Sequence, residues 1–328
     1  MAANLTPMYY KAEREYRRAQ TLAEQLECLQ QMLQLIPKHK GTDHLQADIK
    51  SRLKEVRRDL QQQANAPKSG RSFRFPRQGA GRIVIVGGPN SGKSRVLREL
   101  TDADVEVTEF PFATREPLPG MMKYKGVQVQ LIDTPPVTPD QLEPWMLNLV
   151  RTADGVVLCF DGSSDEAPEE TLAVMKQFAQ RKTRFANTTG FDPDSFAAVN
   201  VTTTMVVTRA DDSDCRDRVA LLAEDTDFSF PTQYVEFSIP QSVADLRRAI
   251  FEQLRVIRVF TKPPGKPADM EAPLTVHPAG TVEDLALQVH EDLFRELKHA
   301  RLWRSGEHEG QIVGREYRLR EGDVIELH

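Results

Sequence analysis

The apolar run Arg82-Ile-Val-Ile-Val86 passes without a spacer into Gly87-Gly-Pro-Asn-Ser-Gly-Lys-Ser94. Residues 94–100 then read as a helix. This order of strand, glycine-rich loop and helix constrains the chain more than any other segment. It opens a βαβ unit, and such units build mostly parallel sheets with helices on both faces. The glycines let the backbone wrap an anion with successive N–H groups pointing inward. The helix N-terminus adds its positive dipole end. The spacing G-x-x-x-x-G-K-[ST] therefore reads as a cradle for nucleotide phosphates. Lys93 is placed to reach the β- and γ-phosphates and Ser94 to ligate Mg²⁺. Pro89, Asn90, Ser91, Gly92 and Arg95 complete or adjoin the loop.

The segment 82–256 goes on alternating. Apolar runs at 127–132, 155–160, 204–207 and 234–237 are separated by helical patterns, which predicts an α/β fold. The run 127–132 ends in Asp133, 40 residues beyond Lys93, within VQVQLIDTPP. It resembles the D-x-x-G element of GTPases, in which the Asp holds Mg²⁺ through water. Between the two lies Phe-Pro-Phe-Ala-Thr114-Arg, where Thr114 is the candidate switch threonine and Mg²⁺ ligand. Thr208-Arg209-Ala-Asp211 ends a strand where GTPases carry N-K-x-D, and Asp211 matches the residue that pairs with the guanine N–H groups. Ser238 falls where the base-supporting S-A element belongs.

The flanks read differently. Leu22, Leu26, Leu29, Leu33 and Ile36, then Leu45, Ile49, Leu53, Val56 and Leu60, recur at spacings of three and four. These are two narrow apolar stripes joined by a short connection at Pro37 and Gly41, which predicts an antiparallel helical hairpin over 1–66. Residues 1–80 carry 15 Lys and Arg against 8 Asp and Glu, whereas the rest carry 28 against 40. That asymmetry points the hairpin, with Lys38, Lys40, Lys50, Arg52, Lys54, Arg57 and Arg58, toward a polyanion such as RNA. Residues 67–81 read as a basic linker. A short strand at 256–261 leads into the Pro-rich stretch 262–273, and after it strands near 274–276, 300–303 and 323–327 and a helix over 283–297 suggest a small β-rich domain, 257–328. No apolar run of 18 residues and no signal-peptide pattern occur, and the three cysteines are scattered. A cytoplasmic protein with no membrane partner is expected.

Taken together, the chain resembles the Obg-like GTPases, and within them the developmentally regulated GTP-binding (DRG) proteins. PKHKGTDHLQADIKSRLKEVRRDL looks like the helical segment before the GTPase domain, and TEFPFATREPLPGMMKYKGVQVQLIDTPP is similar to the two switch regions. IRVFTKP, TVEDLA and GDVIEL, in that order, resemble the family's C-terminal TGS domain, a β-grasp module. The resemblance implies a P-loop GTPase domain flanked by the hairpin and the TGS domain, binding GTP or GDP with Mg²⁺. It also implies slow or partner-stimulated hydrolysis, with a helper protein as a candidate partner, and a ribosomal or RNA setting. Asn90, in G-x-P-N-x-G-K-S, resembles the potassium-ligating asparagine of potassium-activated GTPases. Two departures stand out. Pro136 replaces the D-x-x-G glycine and has no N–H for the γ-phosphate, and Thr208-Arg209 replaces Asn-Lys. They keep open a second reading, a guanine-nucleotide-binding scaffold that does not hydrolyse. Only 75 residues separate Asp133 from Thr208, which leaves no room for the domain that DRG proteins insert.

Overall fold

The computed structural model describes residues 7–19, 22–37, 42–65, 73, 75–102, 116–138, 142–191, 198–304 and 306–328. Three helices come first: α1 (Pro7–Arg18), α2 (Leu22–Leu35) and α3 (Asp43–Asn65). The expected hairpin is α2–α3, but the segment before it forms a separate helix rather than the start of α2. Its apolar face is Tyr9, Ala12, Tyr16 and Ala19, all buried. Two alanines hid that stripe from a reading by large apolar residues. Tyr9, Ala12 and Tyr16 join Leu29, Met32, Ile36, Leu45, Ile49, Leu53 and Val56 in one core. Gln25 Nε2 donates to Asn148 Oδ1 at 3.0 Å and Lys182 pairs with Glu55 at 3.0 Å, fastening these helices to the central domain.

The central domain follows in the order β1 (Arg82–Gly87), α4 (Lys93–Leu100), β2 (Leu118–Tyr124), β3 (Val127–Asp133), α5 (Pro144–Arg151), β4 (Gly155–Asp161) and α6 (Ala167–Gln180). Then come β5 (Thr183–Ala186), β6 (Gly190–Phe191), β7 (Val199–Thr208), α7 (Cys215–Asp225), β8 (Thr232–Tyr234) and α8 (Pro240–Gln253). The sheet runs β2-β3-β1-β4-β7, with β8 and β5 both pairing β7 and β6 lying antiparallel on it. The β3–β1–β4–β7–β8 pairings are parallel, while β2 is antiparallel on the outer edge. β1 and β4 are buried along their whole length. Helices cover both faces, so their strands need no polar alternation. One core holds Met146, Leu149, Val174, Phe178 and Leu222 from α5, α6 and α7; the other holds Val96, Leu97, Leu246 and Ile250 from α4 and α8.

Two features depart from the sequence reading. β2 contains Pro119 and Gly120, which mask a strand pattern but are tolerated on an edge. The strand expected at 234–237 sits earlier, at β8, and residues 236–239 instead form a turn closed by Ile239 N donating to Glu236 O at 3.1 Å.

The C-terminal sheet is β10-β9-β13-β11-β12, formed by β9 (Ile257–Thr261), β10 (Leu274–Val276), β11 (Ala300–Arg304), β12 (His308–Val313) and β13 (Val324–Leu327). The single helix expected over 283–297 is two, α9 (Val282–Val289) and α10 (Glu291–Glu296). Thr281 and Asp284 make a reciprocal capping box at the start of α9. His290 leaves the helix at φ −166° and its Nδ1 accepts from Asp292 N at 3.2 Å, starting α10 afresh. This domain meets the central sheet at the β2–β3 turn. Gly126, at φ 81°, lies so close that a Cβ would fall 2.6 Å from Glu271 O, and Arg258 donates to Lys125 O at 3.2 Å.

Candidate functional site

Parallel strands gather their carboxyl ends at one edge, where ligands of open α/β sheets bind. Register decides which residues meet there. Ile85 stands beside Asp133, Gly87 beside Cys159 and Asp161 beside Thr208. The loop 88–92 leaves β1 at that edge and turns into α4 at Gly92. Gly92 adopts φ 86°, and a Cβ there would meet the Thr208 side chain at 2.7 Å. No other residue type fits both demands.

Lys93 opens α4 and is only 6% exposed. Its Nζ donates to Gly88 O at 2.6 Å and lies 3.4 Å from Ser91 Oγ. Burial pushes its pKa below the ordinary lysine value, with Asp133, Cys159 and Glu170 opposing the shift. An ammonium held at that cost beside a ring of glycine backbone suits an anion. Beneath it, Cys159 is fully buried and its thiol is pushed up to about 12 by burial, so it stays neutral.

Next to Lys93, Ser94 Oγ donates to Asp133 Oδ2 at 2.6 Å, and Asp133 is 1% exposed. A hydroxyl and a carboxylate in contact are hard oxygen donors of the kind Mg²⁺ prefers, so this pair fits the ion. Among the described residues no cluster of three or more His, Cys, Asp or Glu suggests another metal. Thr114, the expected third metal residue, lies outside the described residues, as do Lys38 and Lys40.

The segment after Asp133 is strapped across the end of β1. Thr134 Oγ1 donates to Ile85 O at 2.8 Å and Val137 N to Gly87 O at 3.1 Å. Val137 is buried in the core, so its side chain has no reach to a water at the phosphates.

Thr208 joins the base side to the phosphate side. Its Oγ1 lies 3.2 Å from both Ser91 O and Phe160 O. Arg209, at φ 49°, turns back over the loop, donates to Asn90 O at 3.1 Å and pairs with Asp161 Oδ2 at 2.6 Å. Asp211 is exposed at the rim. Arg218 braces the next turn, with NH1 on Gly162 O and on Asp212 Oδ1, both at 2.7 Å; this bond holds the Asp212 carboxyl below its usual range. Ser238 is exposed and donates to Glu236 Oε1 at 2.8 Å, while Arg95 stacks over Phe237 at 5.4 Å. Asn90 is exposed at φ 54°, and Pro89 is half-buried beside it.

The structure thus brings Pro89 to Ser94, Asp133, Thr208, Arg209 and Asp211 to one sheet edge. Sequence reading missed Asp161 and Glu170. Asp161 carried a signal, a lone charge ending an otherwise apolar strand. Glu170 carried none, because only the α6 packing brings its carboxylate to Gly88, where burial and then the neighbours Glu166 and Asp161 raise its pKa.

Residues 82–189 match the 50S ribosome-binding GTPase family, and residues 257–328 match the TGS domain family. A GTP-binding protein of Methanocaldococcus jannaschii is 25% identical over 93% of this chain and 92% of its own. Developmentally-regulated G-protein 3 of Arabidopsis thaliana is 23% identical, covering 94% of this chain and 98% of its own. Ribosome-interacting GTPase 1 of Saccharomyces cerevisiae is 22% identical, covering 94% and 99%. These alignments run over 362, 363 and 365 positions against 328 residues here, so each relative carries segments that this chain lacks. In three dimensions, the YchF GTPase of Schizosaccharomyces pombe superposes with a TM-score of 0.51 at 11% identity, covering 79% of this chain and all of that one, a likeness of fold.

Proposed function

We propose that the chain is a GTP-binding protein of the DRG/Obg-like type with a C-terminal TGS domain, and that it hydrolyses GTP slowly or on stimulation by a partner, in association with ribosomes or RNA. The observation that carries the nucleotide site is the Thr208 bond to Ser91 O, which makes the base-reading and phosphate loops one crevice. In that crevice Lys93 and the loop N–H groups bind the phosphates. Ser94 and Asp133 are the residues that would hold Mg²⁺ there, and the ion would supply neutralising charge to the phosphates. Asp211 reads the guanine N–H groups, with Arg209 along the base and Ser238 at its edge. This reading divides the chain into a helical unit to 66, a linker 67–81, the nucleotide domain 82–256 and the TGS domain 257–328.

The hydrolytic residue is not supplied by Val137, which is buried. Asn90 is the candidate for a potassium ion that stabilises transition-state charge from the loop side. Equal hydrolysis rates in potassium and sodium buffers would retire that role.

The polyanion contact falls to α3. Lys50, Lys54 and Arg57 are exposed along one side of it at spacings of four and three. Arg52, by contrast, is 7% exposed and bonded to Tyr16 Oη and Glu55, so it serves the helical core rather than an RNA. A cytoplasmic setting suits this reading. No helix among the described residues is long and apolar enough to cross a membrane.

Competition among GTP, GDP and ATP, followed by single-turnover hydrolysis with and without ribosomes, tests the proposal. Preference for ATP would end it. Binding of GTP without turnover under any condition would favour the scaffold reading, which the missing N–H of Pro136 specifically supports. Cosedimentation with ribosomes that persists unchanged at high salt would remove α3 as the contact.

A further inference from the structure

Arg209 stands at the lysine position of the N-K-x-D pattern that this strand end resembles, and the residue it grips lies on a different strand. Asp161 ends β4 directly opposite Thr208 in register. Its side chain is 11% exposed, against 49% for Arg209. One carboxylate oxygen takes the guanidinium at 2.6 Å. The other accepts from Ser163 N at 3.0 Å and from Ser163 Oγ at 2.9 Å. The carboxylate is therefore oriented by its own strand end, independently of Arg209. The strand end is itself held, because Gly162 N donates to Thr208 O at 2.9 Å and Gly162 O accepts from Arg218 at 2.7 Å.

The same Arg209 nitrogen also reaches Asn90 O at 3.1 Å. A planar guanidinium can serve a carboxylate and a carbonyl from fixed directions, which a lysine's mobile point charge does less well. Engaging the Asn90 carbonyl also turns that lone pair toward a cation instead of toward the phosphates. An isolated surface pair would contribute little. Here the acid is mostly buried, pre-oriented and shared with a backbone bond to a second loop.

We propose that Asp161 is a positioning residue for nucleotide recognition: it holds Arg209 in a latch to Asn90 that sets the Asp211 loop against the phosphate loop, so that base choice depends on a residue that touches no base. This deepens the site reading above and rests on Asp211 being the base reader.

The test measures GDP and ADP affinity by titration with fluorescent nucleotides for Asp161→Asn, Arg209→Ala, the double variant, Arg209→Lys and Asp211→Asn, with thermal unfolding of each. Losing a charge-assisted bond that is partly screened should weaken GDP binding about three- to tenfold. ADP binding, which Asp211 does not favour, should change less, so the GDP-to-ADP ratio falls in both single variants. The double variant should be no weaker than either single one, and Arg209→Lys should lie between. A merely structural role would lower the unfolding temperature without moving the ratio. Equal losses for GDP and ADP, or additive losses in the double variant, overturn the proposal. If Asp161→Asn fails to fold, Ser163→Ala, which removes a hydroxyl that orients the Asp161 carboxylate, decides it: the ratio should fall, and an unchanged ratio overturns the proposal. If Asp211→Asn keeps full guanine preference, the site reading itself fails, and the latch falls with it. An altered Asp211→Asn preference with unmoved ratios elsewhere sinks the latch alone.

Discussion

Replacing Lys93 by methionine separates what the lysine does for binding from what it costs the fold. Methionine keeps the unbranched stem and most of the packing. It removes a buried ammonium whose pKa is already lowered by desolvation, together with the 2.6 Å bond to Gly88 O. The charge-assisted bond to phosphate is worth about 1.5–3 kcal/mol, so GDP affinity should fall about ten- to a hundredfold. Stability of the nucleotide-free protein should behave differently. Losing the bond to Gly88 O costs about 1–3 kcal/mol if that carbonyl goes unsatisfied, and relief of the buried charge offsets a similar amount. The net change should lie within about 1 kcal/mol, read as a near-equal urea midpoint. The pH dependence carries the signature. A lysine whose folded pKa is depressed is protonated more in the unfolded chain, so the wild-type stability should rise as pH climbs from the lowered value toward the ordinary lysine value. Lys93→Met should lose that rise. Retained GDP affinity would refute the phosphate-loop assignment. A loss of stability far above 1 kcal/mol would refute the view that the ammonium is held at a cost.

Gly92→Ala should destabilise the chain by about 2 kcal/mol or more, because φ 86° is strained for alanine and its Cβ meets Thr208 at 2.7 Å; a wild-type unfolding midpoint would contradict this. Ser94→Ala should leave GDP affinity in EDTA near wild type while removing most of the gain that Mg²⁺ brings; a full Mg²⁺ effect would take Ser94 out of the metal site. Pro136→Gly adds an N–H to a strap already fastened through Val137 N, so little ordering entropy opposes its use. GTP affinity should then rise about tenfold relative to GDP, and an unchanged ratio would mean that this position does not sense the γ-phosphate.

Much of the protein is legible from local order alone. A strand feeding a glycine-rich turn and a lysine at a helix start can be read in eight residues, because the phosphate cradle is built from consecutive backbone N–H groups. The buried parallel strands show themselves as unbroken apolar runs, and the α2–α3 pair as leucine stripes. The family resemblance extends that reading to the C-terminal domain. Other features were set by partners distant in the chain. Arg52 reads as one more exposed cation until Tyr16, 36 residues earlier, is seen to hold it. The first helix hides behind Ala12, which becomes core only when α1 packs against α2. Asp161 acquires a role only through register. A parallel pairing aligns its strand end with that of β7, 47 residues away, where Arg209 turns back at positive φ. Periodicity and spacing report what a residue's own segment needs. Which charges meet at a sheet edge depends on pairing between strands, and that is settled by how both faces of the sheet are buried.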